Sequence, residues 1–317
     1  MAAPVRLGLI GAGRWGRNYI RTLTGLEGVR LAGVASRNPE SARMVPAGCA
    51  VSADWRSLLS KKEIDGVIIA APAPRHAEMA RAAIEAGLPA LVEKPLTLDL
   101  AEAIALRDVA VSRAGFFMVG HTHLFHPAYR ALKAMAPDYG PIRAIRSEAG
   151  NYGPYRPDTP VLWDWGPHDV ALCLDLLGAM PEQVRANVAE RRPVEGAMGE
   201  IIEMSLEFSG GVRAEIRFGN LMPKRRWFAA HLERAVLIYD DLAPDKRTLH
   251  APTKAYAAPT DAGVPIEIPA ELPLTNVVKA FEAAIRSGKY DLAPMQLGVR
   301  VIDVLAQSLL QIAKLSS

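Results

Sequence analysis

The chain is expected to be an α/β protein: an N-terminal domain built on a doubly wound parallel sheet, then an α+β domain with a large, mainly antiparallel open sheet. Three observations predict this. The first third alternates short apolar runs with longer amphipathic ones, the signature of strand–helix–strand units. Runs such as Val67-Ile68-Ile69-Ala70 are continuously apolar, as a strand buried on both faces requires. After Gly120 the alternation gives way to a succession of strand-like segments.

Taken in order, Val5–Ile10 reads as a strand, Trp15–Leu26 as a helix, and Arg30–Ser36 and Ile64–Ala71 as strands. His76–Ala86 is a helix, Ala90–Glu93 a strand, Leu100–Ala114 a helix and Phe116–Gly120 the closing strand. In the second part, helix Ala128–Met135 precedes strands Ile142–Glu148, Gln183–Ala189, Ile201–Phe208, Val212–Phe218, Trp227–His231 and Ala235–Tyr239. Gly210-Gly211 is a hairpin signal. A helix over Pro167–Leu177 interrupts the strands, and Asn276–Ser287 and Gln296–Lys314 are amphipathic helices. The stretch Pro244–Pro273, rich in Pro and Ala, carries no assignment.

The 317 residues suggest two domains at roughly 150 residues each, with the boundary set at 120/121. The last helix is expected to pack back on the first domain. A net charge of +3 leaves no electrostatic footprint for nucleic acid. Cys49 and Cys173 are the two cysteines, too few for a disulfide framework. No leader pattern opens the chain, and no apolar run reaches the roughly 20 residues of a membrane span. A cytoplasmic protein without a membrane partner is the expectation.

The first functional signal is Gly11-Ala12-Gly13-Arg14-Trp15-Gly16. On its own a G-x-G-x-x-G is weak, but here it follows a strand and opens a helix. Gly11 permits the tight turn, Gly13 lets the backbone approach a pyrophosphate, and Gly16 lets helix and strand pack closely. The helix N-terminus favours the anion. A nicotinamide dinucleotide on a Rossmann domain is the reading. At the end of the second strand, where an NAD site places a carboxylate for the ribose 2′-hydroxyl, the chain has Ser36-Arg37-Asn38. A guanidinium there can hold a 2′-phosphate, so NADP is the preferred cofactor, with NAD possible.

Hydride transfer to or from a nicotinamide requires the protein to position the reacting carbon and manage a proton. Lys94 ends the apolar run Leu91-Val92-Glu93 at the carboxyl edge of the sheet, where ligands bind in this architecture. A desolvated Lys titrates below its free value of ~10.4. Gly166-Pro167 reads as a helix start. His168 would then sit in the first turn, kept neutral by the helix dipole as a base must be, with Asp164 before it to fix the tautomer. His121, His123 and His126 lack the company of a metal site, and no metal is expected. His121 or His123 lines a substrate cleft or packs the domain junction. His76 shapes the cofactor loop or starts its helix.

These motifs resemble the Gfo/Idh/MocA family of oxidoreductases. The Gly-rich turn continues as Trp15-Gly16-Arg17-Asn18. Ala71-Pro72-Ala73-Pro74-Arg75-His76 looks like the family's loop after the strand that passes the nicotinamide. Glu93-Lys94-Pro95 looks like its E-K-P signature, and Gly120-His121 through His126-Pro127 resembles its domain junction. Asp164-Trp165-Gly166-Pro167-His168 matches its D-x-x-x-H. Pro223-Lys224 with Tyr239-Asp240-Asp241 is similar to its second-domain sheet, above all in the sugar-nucleotide 3-dehydrogenase branch. The resemblance covers nearly the whole chain, in order. Two segments depart from it: His123-Leu124-Phe125, where many relatives carry Arg, and Asp158–Trp163, where many carry a glycine-rich stretch.

The resemblance implies a dehydrogenase of a sugar, polyol or sugar derivative, with Lys94 hydrogen-bonding the reacting hydroxyl and Lys94, His168 and Asp164 forming the catalytic set. It adds Ala71, Pro72, His76, Glu93 and Lys94 to the cofactor site. Tyr155 and Arg156, in the loop before the D-x-x-x-H, are candidate substrate contacts, as is Lys224 in the run Lys224-Arg225-Arg226. Trp163 stacks on a sugar or packs the core. By analogy with relatives whose sheets pack together through an apolar face, a homodimer or homotetramer is expected. Two other readings stay open: a lyase or epimerase that uses retained cofactor transiently, and a non-catalytic NADP-binding redox sensor. The Lys94–Pro95 bond is a candidate for the cis form.

Overall fold

The structure is a computed structural model that describes residues 3–60 and 62–316. The chain divides into two compact units: the residues up to Thr122 with Leu272–Ile302, and His123–Glu271 with Asp303–Ser317.

In the first unit, strands β1 (Val5–Ile10), β2 (Val29–Ala35), β3 (Ala50–Ser52), β4 (Gly66–Ile69), β5 (Ala90–Val92) and β6 (Phe117–Val119) form one sheet in the order β3-β2-β1-β4-β5-β6. Every pairing is parallel. Leu7, Leu9, Val67, Ile68 and Ile69 are all fully buried, because helices on both faces cover a sheet of this kind. Helix α1 (Arg14–Thr24) turns Tyr19, Ile20 and Leu23 inward. Helices α2 (His76–Glu85) and α3 (Leu100–Ser112) follow, the latter capped by Asp99, whose side chain accepts from the Glu102 N–H at 2.9 Å. Strand order reverses between β1 and β4, and the crevice at such a switch point is where this architecture binds ligands.

The second unit contains α4 (Pro127–Met135), β7 (Ile142–Tyr152), α5 (Val161–Leu177), β8 (Gln183–Val194), β9 (Ala197–Glu207), β10 (Arg213–Gly219), β11 (Leu221–Leu232), β12 (Val236–Asp240), β13 (Arg247–His250) and β14 (Val264–Pro265). The strands lie in the order β14-β13-β12-β11-β7-β10-β9-β8. β7 and β10 pair in parallel; the other pairings are antiparallel. The β9–β10 pairing flanks Gly210-Gly211 as expected, but a second hairpin joins β8 to β9 through Glu195 (φ +50°) and Gly196 (φ +76°). Its two residues with positive φ match the twist of the strands, although Glu-Gly is a weak signal in a sequence. The unassigned stretch Pro244–Pro273 supplies β13 and β14.

β10 alternates buried Ala214, Ile216 and Phe218 with Arg213, Glu215 and Arg217. The buried set meets α5, where a Cβ at Gly166 would lie 3.3 Å from the Phe218 ring. The opposite face carries a cross-strand charge ladder: Arg185 and Arg213 reach Glu207 at 2.8 and 2.5 Å, and Arg217 lies 3.4 Å from Glu203. That part of the sheet is therefore charged, not the apolar surface expected from relatives.

One expected boundary is wrong in a way that matters. Helix α5 starts at Val161, with Pro160 as its N-cap, and Pro167 lies inside it. Pro167 is tolerated within a long, apolar, almost wholly buried helix, where burial outweighs the missing backbone bond. His168 therefore sits near the middle of α5, and a helix-dipole account of its neutrality fails, since that effect fades beyond the first turn. Asp164 occupies the first turn instead.

The chain closes with α6 (Pro273–Ser287) and α7 (Ala293–Ser316). Phe281 of α6 is fully buried against Gly66 of β4, where an added Cβ would stand 2.6 Å from Ile285. No helix of the described residues is long and apolar enough to cross a membrane.

Candidate active site

The carboxyl edge of the parallel sheet collects the residues expected around a dinucleotide. Gly11 follows β1 with φ +98°, and a Cβ there would lie 2.5 Å from the Ala70 carbonyl oxygen. A Cβ on Gly16 would lie 2.0 Å from the Gly11 carbonyl oxygen. Both must be glycine for the turn and helix to close on the strands. Gly13 differs: an added Cβ meets no atom within 4 Å, so its glycine is not required by packing. It is the N-cap of α1, and no side chain caps that helix, which leaves first-turn N–H groups for an anion. Open space at Gly13 over uncapped N–H groups fits a pyrophosphate. Ala12 is buried there, and Arg14 and Trp15 are exposed.

After β2, Ser36 accepts a hydrogen bond from the Ser41 hydroxyl at 2.8 Å. Arg37 is exposed. After β4 come Ala71 and Pro72. His76 is buried between two carbonyl oxygens, Nδ1 at 2.7 Å from Pro95 and Nε2 at 2.8 Å from Ala71. Burial lowers its pKa, and a neutral ring has one N–H to share between them. His76 thus ties the Ala71 loop to the turn that carries Lys94. That turn has a cis Lys94–Pro95 bond. Glu93 is buried and accepts from the Tyr19 hydroxyl at 2.6 Å and from the Lys94 backbone N–H at 3.2 Å. Burial raises its pKa, opposed by its hydrogen bonds with Tyr19 and Trp15 and by the Lys94 charge. Tyr19 belongs to α1, so the glycine-loop helix and the lysine-bearing turn are joined through one carboxylate. Lys94 itself is half-buried, and His121 is buried just after β6.

The second unit has its own cluster. Asp164 and His168 stand four residues apart on α5, on one helix face. The His123 ring meets His168 edge-on, with centroids 4.9 Å apart, and its Nδ1 lies 2.8 Å from the Tyr239 hydroxyl. Register explains Tyr239: it pairs with Phe228, which pairs with Ser147, so all three face α4 and α5. His126 caps α4 through Nδ1 and presents Nε2 to Asp241 at 3.2 Å. Against the upward push of burial, the His126 hydrogen bond and the charges of His123, His126 and Lys246 hold Asp241 at about 2. Asp169, fully inside, is pushed up to about 6 by burial, opposed by the Ser147 hydrogen bond and the Arg226 charge. The Ser147 hydroxyl donates to Asp169 Oδ1 at 2.6 Å. His123, His168, Asp169, Arg226, Phe228 and Tyr239 line one small pocket.

Of the substrate candidates in this unit, His123 lines that pocket. Arg156 Nε lies 3.3 Å from Asp164. Tyr155 packs instead against Ile201, Leu221 and Met222, Trp163 is buried, and Lys224 is exposed on β11. Sequence reasoning missed Asp169, Arg226, Tyr239 and Asp241. Asp169 follows His168 directly, and Arg226 sat in a basic run whose emphasis fell on Lys224. Only strand register shows which cation of that run turns to the pocket. Among the described residues no group of three or more His, Cys, Asp or Glu could hold a metal ion.

A Rossmann unit with a glycine-built nucleotide cradle, followed by an open-sheet unit, defines a class of dinucleotide-binding oxidoreductases. Residues 5–121 match the oxidoreductase family with NAD-binding Rossmann fold, Gfo/Idh/MocA, and residues 130–238 match the Gfo/Idh/MocA C-terminal domain. The chain belongs to this family. A crystal structure from Magnetospirillum magnetotacticum MS-1, described as an oxidoreductase, is 47% identical, with a TM-score of 0.92 over 96% of this chain and 100% of that one. UDP-N-acetylglucosamine 3-dehydrogenase of Acidithiobacillus ferrooxidans is 36% identical over 187 residues, 57% of each chain. Its solved structure superposes with a TM-score of 0.84 and 25% identity over the whole of both chains. Inositol 2-dehydrogenase 1 of Saccharopolyspora erythraea is 34% identical over 136 residues, 41% of this chain and 40% of that one. The sequence match thus spans 57% of the length of the first of these two curated relatives and 40% of the second.

Proposed function

We propose that the chain is an NADP-preferring dehydrogenase acting on a secondary alcohol of a sugar, polyol or sugar derivative. The observation that carries this is the carboxyl edge of the parallel sheet. It presents an uncapped helix N-terminus with open space at Gly13 and, two strands along, Lys94 on a turn braced by Glu93 and His76. The relatives named for sugar and polyol dehydrogenation supply the substrate class. The nicotinamide, when bound, supplies the hydride acceptor or donor. Lys94 donates a hydrogen bond to the reacting hydroxyl. His168 takes the proton, and Asp164 orients, anchored by Arg156. NADP is favoured because Ser36-Arg37-Asn38 offers a cation and no carboxylate to the ribose, and Arg37 is exposed.

Titration of the purified protein with NADPH and NADH, followed by ligand fluorescence, tests the cofactor assignment. NADPH is expected to bind tighter. Arg37→Ala is expected to weaken NADPH about tenfold, the value of one charge-assisted contact, with NADH little changed. Equal or tighter NADH binding by the unaltered protein refutes the preference.

Gly13→Ala separates the cradle from the fold. The new methyl meets nothing in the protein, so unfolding free energy should change by at most about 1 kcal/mol, a cap effect. Dinucleotide affinity should nonetheless fall at least about tenfold. Unchanged affinity would remove Gly13 from the cofactor site.

A further inference from the structure

We propose that the pocket beside His168 is selective for a substrate bearing a carboxylate, and that Arg226 is the residue that selects it. This rests on the reading that the pocket receives the substrate. Arg226 is half-buried, and its guanidinium lies 4.5 Å above the Trp165 ring. Nη1 is committed to the carbonyl oxygens of Gly150 at 3.1 Å and Arg225 at 2.7 Å. Nε and Nη2 make no hydrogen bond among the described residues, and that edge is the one a carboxylate takes side-on with two parallel bonds. Stacking on Trp165 and anchoring through Nη1 hold the plane in place, so little side-chain entropy is lost on binding.

The surroundings are short of an acceptor for Arg226. Asp169 is the carboxyl whose charge acts most on Arg226, yet the two form no ion pair among the described residues, and Asp169 Oδ1 is taken by the Ser147 hydroxyl. Its Oδ2 is buried without a hydrogen-bond partner, as is Trp165 Nε1. The other carboxylates whose charge reaches Arg226 have cations of their own: Asp241 has Lys246 and His126, and Asp164 has Arg156. A ligand carboxylate supplies the acceptor that Arg226 lacks, and a neighbouring ligand hydroxyl can donate to Asp169 Oδ2. A singly charged carboxylate suits the site better than a phosphate, whose second charge would also oppose Asp169. A sugar acid therefore fits this pocket better than the neutral sugar of the same ring.

The test compares pairs that differ only at one carbon: D-glucuronate with D-glucose, and D-galacturonate with D-galactose. Binding to the full chain saturated with NADPH is measured by calorimetry, and turnover with NADP is measured separately. Each acid is expected to bind at least about tenfold tighter than its neutral partner, a preference that Arg226→Gln abolishes and Arg226→Lys partly keeps. Absence of acid binding overturns the proposal, as does a preference that survives Arg226→Gln. Should Arg226→Gln fail to fold, Arg226→Lys decides: an acid preference unchanged from the parent overturns the proposal, and a reduced one supports it. Acid binding that depends on Arg226 without any turnover supports the proposal and counts against the dehydrogenase reading. Turnover of the neutral sugars with no acid preference does the reverse.

Discussion

Lys94→Ala and His168→Ala are each expected to lower kcat/KM by about 10²–10⁴-fold, the range for removing a positioned proton donor or acceptor. Lys94 is placed for this role. The side chain leaves the sheet at the carboxyl end of β5, on a turn fixed from two directions: Glu93 holds its backbone N–H, and His76 holds the Pro95 carbonyl. A long side chain on so constrained a backbone serves positioning, which multiplies the value of any proton it handles. His168 shares its pocket with His123, Asp169 and Arg226. NADPH affinity is the control, because loss of the nucleotide site would lower turnover without involving either side chain in proton transfer. Steady-state rates within a factor of a few of the parent, with cofactor bound, would sink the assignment. Lys94→Arg sharpens the result: it keeps a charge but not a group that can give up its proton, so a relay role predicts little rescue.

Asp169→Asn is expected to stabilise the protein at pH 7 and above by about 3 kcal/mol, from a carboxyl raised from 3.8 to about 6 at ~1.4 kcal/mol per unit. The folded state holds this proton more tightly than the unfolded chain does. The group therefore contributes fully below about pH 4, and that contribution is lost as pH rises through about 6. Asparagine stays neutral throughout and keeps an oxygen for the Ser147 hydroxyl, so the two proteins should converge near pH 4 and separate above pH 6. Denaturant midpoints across pH 4–8 give the answer. An asparagine variant less stable than the parent at pH 7.5 would show that the charged form is favoured in the fold. The expected ordering, asparagine more stable than aspartate above pH 6, is the usual trade where a buried ionisable group costs stability and is kept for its chemistry.

Much of the first unit was legible because its signals are local. The helix after Gly13, the apolar runs of β1 and β4 and the strand end at Lys94 depend on residues within a few positions of one another. Parallel strands buried on both faces leave runs that need no partner to be recognised. β3 escaped because it is short and lies at the sheet edge, with little apolar content to mark it. In the second unit the strands were placed but their lengths were not. β7 runs four residues past the expected end at Glu148, and β11 begins six before Trp227, since Gly150 and Pro223 interrupt the period-two pattern there.

The sequence by itself determined the class of fold, the glycine-rich turn after β1, the absence of a carboxylate after β2 and the placement of Lys94 at a strand end. Each is written in contiguous residues, and their physical requirements, a turn without a Cβ or a helix opening on a strand, are local. Tertiary structure alone decided what surrounds His168. Arg226 and Tyr239 come from β11 and β12, and they meet His168 because strand register puts Ala149, Arg226, Phe228 and Tyr239 against α5. Register is a long-range property, in which a slip of one residue would turn Arg226 to the opposite face and another side chain to the pocket. The start of α5 was decided in the same way: Pro167 favours a helix beginning beside it, but burial of the whole segment against β7, β9 and β10 outweighs one missing backbone bond.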